Sequence, residues 1–96
     1  MQTEPIIVEV TQKHIDAAVR EAVHGSYKPS YQCVIAQALR DTFLAANISV
    51  GHASAMVDGV QFSLGPYGKV AAVTMLRSDR LNEVKPFTMT LHRTGA

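Results

Sequence analysis

The chain has 96 residues, 47% of them hydrophobic and 18% charged, with a single Cys and a formal net charge of +1. This composition fits one globular domain over residues 1–96, and it excludes a disordered chain and a framework of intramolecular disulfides. The charge lacks the basic excess with which nucleic-acid-binding proteins neutralise phosphates, so nucleic acid is not expected as the main partner.

The N-terminal segment "MQTEPIIVEV" has neither the basic start nor the long apolar stretch of a secretory signal. No apolar run approaches the roughly 20 residues that cross a bilayer as a helix. We therefore expect a cytoplasmic protein that does not contact a membrane. The low charge content leaves apolar surface to be covered, which favours self-association or a protein partner.

The chain opens with a predicted strand and helix. The β-branched segment "IIVEV" after Pro5 predicts a strand with Ile6, Val8 and Val10 on one face. Thr11 can then cap a helix that ends near Gly25. The apolar stripe of this helix consists of Ile15, Ala18, Val19, Ala22 and Val23.

The break "SYKPS" separates this helix from a second one. Pro29 disfavours helical backbone at the residue before it, and Ser30 can cap a helix that runs from Tyr31 to about Ala46. The helix is apolar over a wide arc, so we expect it to be the most buried element. Its inner stripe consists of Ile35, Ala38, Leu39, Thr42, Phe43 and Ala46.

After Asn47 the apolar period changes from about 3.6 to 2, which is typical of strands. "ISVGHASAMVDGVQFSL" predicts a hairpin whose turn is Asp58-Gly59. "KVAAVTMLRSDRLN" predicts a third helix, and "VKPFTMTLHR" a final strand. The order β-α-α-β-β-α-β predicts an α+β fold in which helices pack on one face of a small, mainly antiparallel sheet.

Cys33 and the histidines are the candidates for catalysis or metal binding. A thiol in the first turn of a helix can gain thiolate character, so a Cys33-dependent enzyme is one alternative. The other interpretation is a small, buried apolar residue. The four histidines lack metal-site spacing and are interpreted as surface or capping residues: His14, His24, His52 and His92. We expect no metal, no cofactor and no enzymatic activity.

The corner between the first two helices is one candidate binding surface. Tyr27 and Tyr31 flank Lys28 there, and Tyr is favoured at protein interfaces.

A second candidate lies in the last third of the chain, where five basic residues face two acidic ones. Lys69, Arg77 and Arg80 could bind a small anion, a nucleotide or an acidic partner surface, with the turn "GPYGK" beside them. The alternative is a solvated helix edge, on which Asp79 and Glu83 neutralise the arginines.

The segments "VTQKHIDAAVRE", "YQCVIAQALRD" and "VKPFTMTL" resemble a family of small uncharacterised proteins of bacteriophages and prophages. The family pattern is VTQ-x-HID-x-GVR, then Cys-x-x-Cys-Pro, then ALALRD, then PF-x-F-x-L. Ala18 stands where the family has Gly. Ser30 replaces the first Cys, Cys33 keeps the second, and Val34 replaces the Pro. A paired-thiol role in redox chemistry or zinc binding is therefore lost in this chain.

The resemblance implies an accessory protein of a phage or mobile element in the host cytoplasm. Such proteins often act by binding, for example by blocking a host defence complex or by capturing a signalling nucleotide. Our main hypothesis is thus a non-enzymatic binding protein with a protein partner, self-associated or not. The alternatives are a small-anion or nucleotide binder that uses Lys69, Arg77 and Arg80, and a Cys33-dependent enzyme.

Overall fold

The structure is a computed structural model that describes residues 5–23, 28–44, 47–64, 69–74 and 76–94. The predicted α+β class is confirmed. The elements in chain order are β1 (Ile6–Val10), α1 (Gln12–Val23), α2 (Pro29–Gln32), α3 (Val34–Phe43), β2 (Ile48–Val50), β3 (Ser54–Val57), β4 (Val60–Ser63), α4 (Lys69–Thr74), a 3-10 helix (Ser78–Glu83) and β5 (Phe87–Arg93).

All five strands join one antiparallel sheet in the order β1-β5-β4-β3-β2. The first and last strands of the chain are neighbours, with Ile6 opposite Leu91 and Val10 opposite Phe87. The sheet curls around α3, because this helix contacts both β1 and β2, which lie at its two edges.

Alternating side chains give the sheet an apolar inner face and a polar outer face. Val8 and Val10 of β1 are buried, while Ile7 and Glu9, which alternate with them along the strand, are exposed. The inner residues of the other strands include Ile48, Val50, Ala55, Val57, Phe62, Met89 and Leu91. Since the outer residues are mostly Ser, Thr, Gln and His, that face can be left to water.

The second predicted helix is the most buried one, as expected, but it is divided. Cys33 has extended backbone (ψ 169°) and its Sγ accepts a hydrogen bond from Ala36 N at 3.4 Å. It therefore ends α2 and caps α3. Ser30 lies inside α2, so the prediction that it precedes and caps the helix is wrong. The helix also ends before Ala46, because Leu44 takes the left-handed conformation (φ 52°).

The hairpin region contains three strands instead of two. The predicted Asp58-Gly59 turn is confirmed, with φ values of 47° and 86° that match a turn needing two positive φ angles. A further turn, closed by a 2.8 Å hydrogen bond from Gly51 N to Ser54 O, separates β2 from β3.

The third predicted helix is also divided. α4 ends at Thr74, Arg77 is extended, and the 3-10 helix follows. The break lets Leu81 reach full burial on the side that packs against α1. Burying a Leu contributes about 1.5–3 kcal/mol, which offsets helical hydrogen bonds lost at the break, each worth about 0.5–1.5 kcal/mol.

One further prediction is wrong, and two lie outside the described residues. Val23 was assigned to the apolar stripe of α1 but is 77% exposed, because it is the last residue of that helix. The predictions for Gly25 and for the turn over residues 65–68 lie outside the described residues. In the part of the chain that the structure describes, no helix is long and apolar enough to cross a bilayer.

Leu44→Gly is expected to raise the free energy of unfolding by about 1 kcal/mol, because Gly adopts positive φ without the Cβ clash. Little contact is lost, since the Leu44 side chain is 87% exposed. Urea unfolding measures the change. Leu44→Ala is the matched control, since it removes the same side chain but keeps Cβ, and it should give much less stabilisation. Equal effects of the two variants would contradict a backbone cause.

Candidate functional site

Cys33 is buried among apolar side chains and is 0% exposed. Burial raises the pKa of its thiol, and the hydrogen bond from Ala36 N and the charge of Arg40 offset this only in part. The interpretation of Cys33 as a buried apolar residue is confirmed. A nucleophile needs both exposure and thiolate character, so both observations count against a Cys33-dependent enzyme.

His14 closes the N-terminus of α1. Its Nδ1 lies 3.0 Å from Thr11 N and 3.2 Å from Thr11 Oγ1. A backbone N–H can only donate, so Nδ1 is the acceptor and the neutral ring carries its proton on Nε2. Thr11 thus precedes α1 as predicted, but the imidazole makes the capping contact, as a Glu does in a capping box.

The same imidazole links α1 to α3. Its Nε2–H donates to Asp41 Oδ2 at 3.0 Å, and Lys13 Nζ lies 3.9 Å from the same oxygen. The hydrogen bond from His14, and then the charge of Lys13, hold the pKa of Asp41 below its usual range. Both ring nitrogens are engaged, so this pair lacks the free nitrogen that a general base needs.

The other histidines do not add to this pair. His52 and His92 are exposed, and His24 lies outside the described residues. Across the described ranges, no group of three or more His, Cys, Asp or Glu side chains could hold a metal ion.

The two predicted arginines are each paired with a carboxylate. Arg77 Nε lies 3.6 Å from Asp79 Oδ1, and Arg80 donates to Glu83 at 2.9 and 3.2 Å. The hydrogen bonds with Glu83 raise the pKa of Arg80 and lower that of Glu83. The segment is therefore locally neutral, which matches the interpretation as a solvated helix edge.

The remaining predicted residues divide between two parts of the fold. Lys69 is the first residue of α4. Lys28 and Tyr31 lie at α2, which packs beside β2, and both are exposed. Tyr27 lies outside the described residues. Lys28 and Tyr31 thus lie beside β2, whereas Arg80 lies on the 3-10 helix, which packs on α1.

Tyr31 borders a cleft of about 320 Å³ between α2, α3 and the β2–β3 hairpin. Its side chain is 53% exposed, and Met56 on β3, which borders the same cleft, is 42% exposed. The polar residues Arg40, Asn47 and Ser49 complete the lining, together with Ile48 and Gly59. We call this area the Tyr31 surface, and it consists of Tyr31, Arg40, Asn47, Ser49 and Met56.

Side chains of α3 fix the backbone beneath the Tyr31 surface. Arg40 donates to Tyr31 O at 2.6 Å, and Gln37 donates to Gln32 O at 3.2 Å. These carbonyls end α2 and lack helical partners. At its other end, Lys28 N donates to Gln32 Oε1 at 2.7 Å. The short helix that presents Tyr31 is therefore held in place.

A second cleft, of about 340 Å³, opens between α4, the 3-10 helix and the start of β5. Its walls are mostly apolar and include Val73, Leu76 and Phe87. Glu83, at its rim, is the partner of Arg80. Leu76 and Phe87 also pack against the core, so the cleft lies at the edge of the core.

Sequence reasoning missed Met56 and Arg40 at the Tyr31 surface and Asp41 beside His14. Side chains alternate between the two faces of β3, and Met56 lies on the outer face. This alternation can be read from the sequence, so the exposure of Met56 was predictable. His14 and Asp41 are 27 residues apart, and no local pattern connects them. Comparisons with known protein families, curated proteins and solved structures find no match to this chain.

Alkylation of Cys33 at neutral pH is expected to be at least about tenfold slower in the folded protein than in urea, because the thiol is buried and protonated. The rate is measured by mass spectrometry with iodoacetamide, with glutathione as a reference thiol in both solutions. A folded rate equal to the unfolded one would restore the enzyme alternative.

Asp41→Asn is expected to destabilise the fold above about pH 4, the ordinary pKa of a carboxyl group. Folding lowers the pKa of Asp41. The carboxylate therefore stabilises the folded state above that pH, and this stabilisation is lost as the pH falls through the pKa of the folded state. Urea unfolding of both proteins over a pH series should therefore show the difference shrinking in acid. Asp16→Asn, a change at the exposed carboxylate that accepts from Gln12, is the control. A difference that grows in acid would contradict the sign.

Proposed function

We propose that this chain is a non-enzymatic binding protein that contacts a protein partner through the Tyr31 surface. The observation that carries the proposal is the exposure of Tyr31 and Met56 at one cleft. Tyr, Met and Arg are enriched at protein interfaces. The cleft can accept one side chain of a partner, while Tyr31 and Met56 lose exposed apolar area.

The fixed backbone of α2 supports this assignment. Because Arg40 holds Tyr31 O, the aromatic ring is presented without the entropy cost of ordering a loop on binding. Lys28, exposed on the same short segment, adds a positive charge at the rim, where charge affects the association rate more than the affinity.

The sequence resemblance supplies the setting of the proposal. An accessory protein of a phage or mobile element acts in the host cytoplasm, and one such action is to block a host defence complex by binding it. The buried state of Cys33 is consistent with action by binding. This setting depends on the resemblance, and the Tyr31 surface depends on the geometry, so each can fail without the other.

The small-anion or nucleotide binder is the less favoured alternative. An anion at Arg77 or Arg80 has to displace Asp79 or Glu83, which lie 3.6 and 2.9 Å away. A thermal-shift screen with nucleotides and inorganic phosphate separates the two functions. A ligand at a hundred times its dissociation constant adds about 2.7 kcal/mol of stability, and we expect no such shift.

Tyr31→Ala is expected to weaken partner binding at least about tenfold, or about 1.4 kcal/mol. Partners captured from a host lysate by the wild type are purified, and their affinities for each variant are measured by calorimetry. Met56→Lys should act in the same direction, because it places a charge in the contact.

The matched control is the double variant Arg77→Glu with Arg80→Glu, which changes the other predicted surface and should leave the affinity unchanged. Urea unfolding shows whether each variant is folded. If the double variant loses the partner and Tyr31→Ala keeps it, the proposed surface is wrong.

A further inference from the structure

One hydrogen bond at the end of β5 fixes the direction of its peptide groups. Thr94 N donates to Gln61 O at 3.0 Å, so the peptide group of Thr94 points towards β4. Peptide groups alternate in direction along a regular strand. Leu91, Met89 and Phe87, at odd distances from Thr94, therefore point the other way, towards β1.

The register between β1 and β5 then shows which peptide groups of β1 point away from the sheet. Leu91, Met89 and Phe87 lie opposite Ile6, Val8 and Val10, so these are the hydrogen-bonded pairs. The residues whose peptide groups point outward are then Pro5, Ile7, Glu9 and Thr11. An outward N–H and C=O at an edge strand can bind another strand.

Both ends of this edge are closed. Pro5 has no N–H to donate, and Thr11 N donates to His14 Nδ1 at 3.0 Å. Between them, the outward groups of Ile7 and Glu9 have no hydrogen-bond partner within the ranges that the structure describes. The open edge is therefore two outward peptide groups long.

Space for another strand lies next to this edge. A cleft of about 500 Å³ is lined by Ile7 and Glu9 on one side and by Lys13 and Asp41 on the other. The opposite edge of the sheet differs, because α2 packs beside β2 there. Ile7 is 58% exposed, a large fraction for an Ile in a strand.

We propose that β1 pairs with β1 of a second copy of this chain, antiparallel about a twofold axis at Val8. Ile7 of one copy then faces Glu9 of the other, and each of the two pairs joins both N–H groups to both C=O groups. Every outward N–H and C=O group of Ile7 and Glu9 then has a hydrogen-bond partner in the other copy.

A second copy fits this edge better than a longer foreign strand. In the symmetric pair Pro5 lies opposite Thr11 of the other copy, so the residue without an N–H faces the residue whose N–H is already bonded. A longer strand would place its own donors and acceptors against these closed positions and leave them without protein partners. The proposal does not use the Tyr31 surface and is independent of the proposed function.

Hydrogen exchange of the wild-type protein tests the pairing without any variant. The amides of Ile7 and Glu9 are expected to exchange more slowly at millimolar than at low micromolar concentration. The amides of Ile6, Val8 and Val10, bonded within the sheet, should be protected at both. Light scattering should show the dimer mass at the higher concentration. A monomer mass at the higher concentration overturns the proposal. Amide exchange rates of Ile7 and Glu9 that do not depend on concentration overturn it as well.

Ile7→Pro tests the edge directly, because it removes an outward N–H while leaving the hydrogen bonds between β1 and β5. The dissociation constant of the dimer should rise at least about tenfold. Ile7→Thr is the control, since it keeps the N–H and a β-branched side chain and should still dimerise. A folded Ile7→Pro that dimerises like the wild type overturns the proposal. If Ile7→Pro does not fold, the wild-type exchange result decides. Tyr31→Ala should leave the dimer unchanged, which separates this test from that of partner binding.

Discussion

Burial of α3 is the constraint on which the rest of the molecule depends. Its residues Val34, Ile35, Ala36, Ala38 and Leu39 are 0% exposed. The helix contacts strands at both edges of the sheet, so five short strands must curl to reach around it. Phe43 at its end meets Phe62 of the central strand β4, with ring centroids 5.3 Å apart. A chain this small thus obtains a core that the strands share around one helix.

Polar side chains on the flanks of α3 fix α1 and α2. Asp41 accepts from His14, Gln37 donates to Glu21 at 2.8 Å, and Arg40 donates to Tyr31 O. A four-residue helix such as α2 is too short to persist by itself. It persists because α3 supplies donors for its last carbonyl groups. The position of Tyr31 therefore depends on the helix that forms the core.

The sequence predicted those parts of the fold that follow from local period and turn chemistry. The alternation in β1, the strand β5 and the Asp58-Gly59 turn follow from local sequence, and the structure confirms them. The breaks at Cys33 and after Thr74 were not predicted, because the apolar pattern continues through both. At the first break Cys33 caps α3, and the second is accompanied by the full burial of Leu81, so tertiary contacts override the local helical pattern.

The candidate site was predictable in part. Tyr31 and Lys28 were singled out as candidate contact residues at the corner, and both are exposed, as such a role requires. Arg77 and Arg80 were singled out by charge, but the sequence equally allowed the neighbouring carboxylates to pair with them, and the geometry shows that they do. Met56 and Arg40 join Tyr31 through the packing of α2 on β2. Such long-range contacts leave no trace in residue spacing.

The two closed ends of β1 also limit how many strands can add to this sheet. A sheet with open backbone at both edges can add copies without limit, as amyloid does. Here α2 lies beside β2, and Pro5 and the bond from Thr11 to His14 shorten the open part of β1. Growth by strand addition would need a long edge on each side, and the fold presents a short one on a single side. The imidazole that caps α1 also occupies an N–H at the sheet edge, so we expect its loss to lower solubility as well as to weaken the start of the helix.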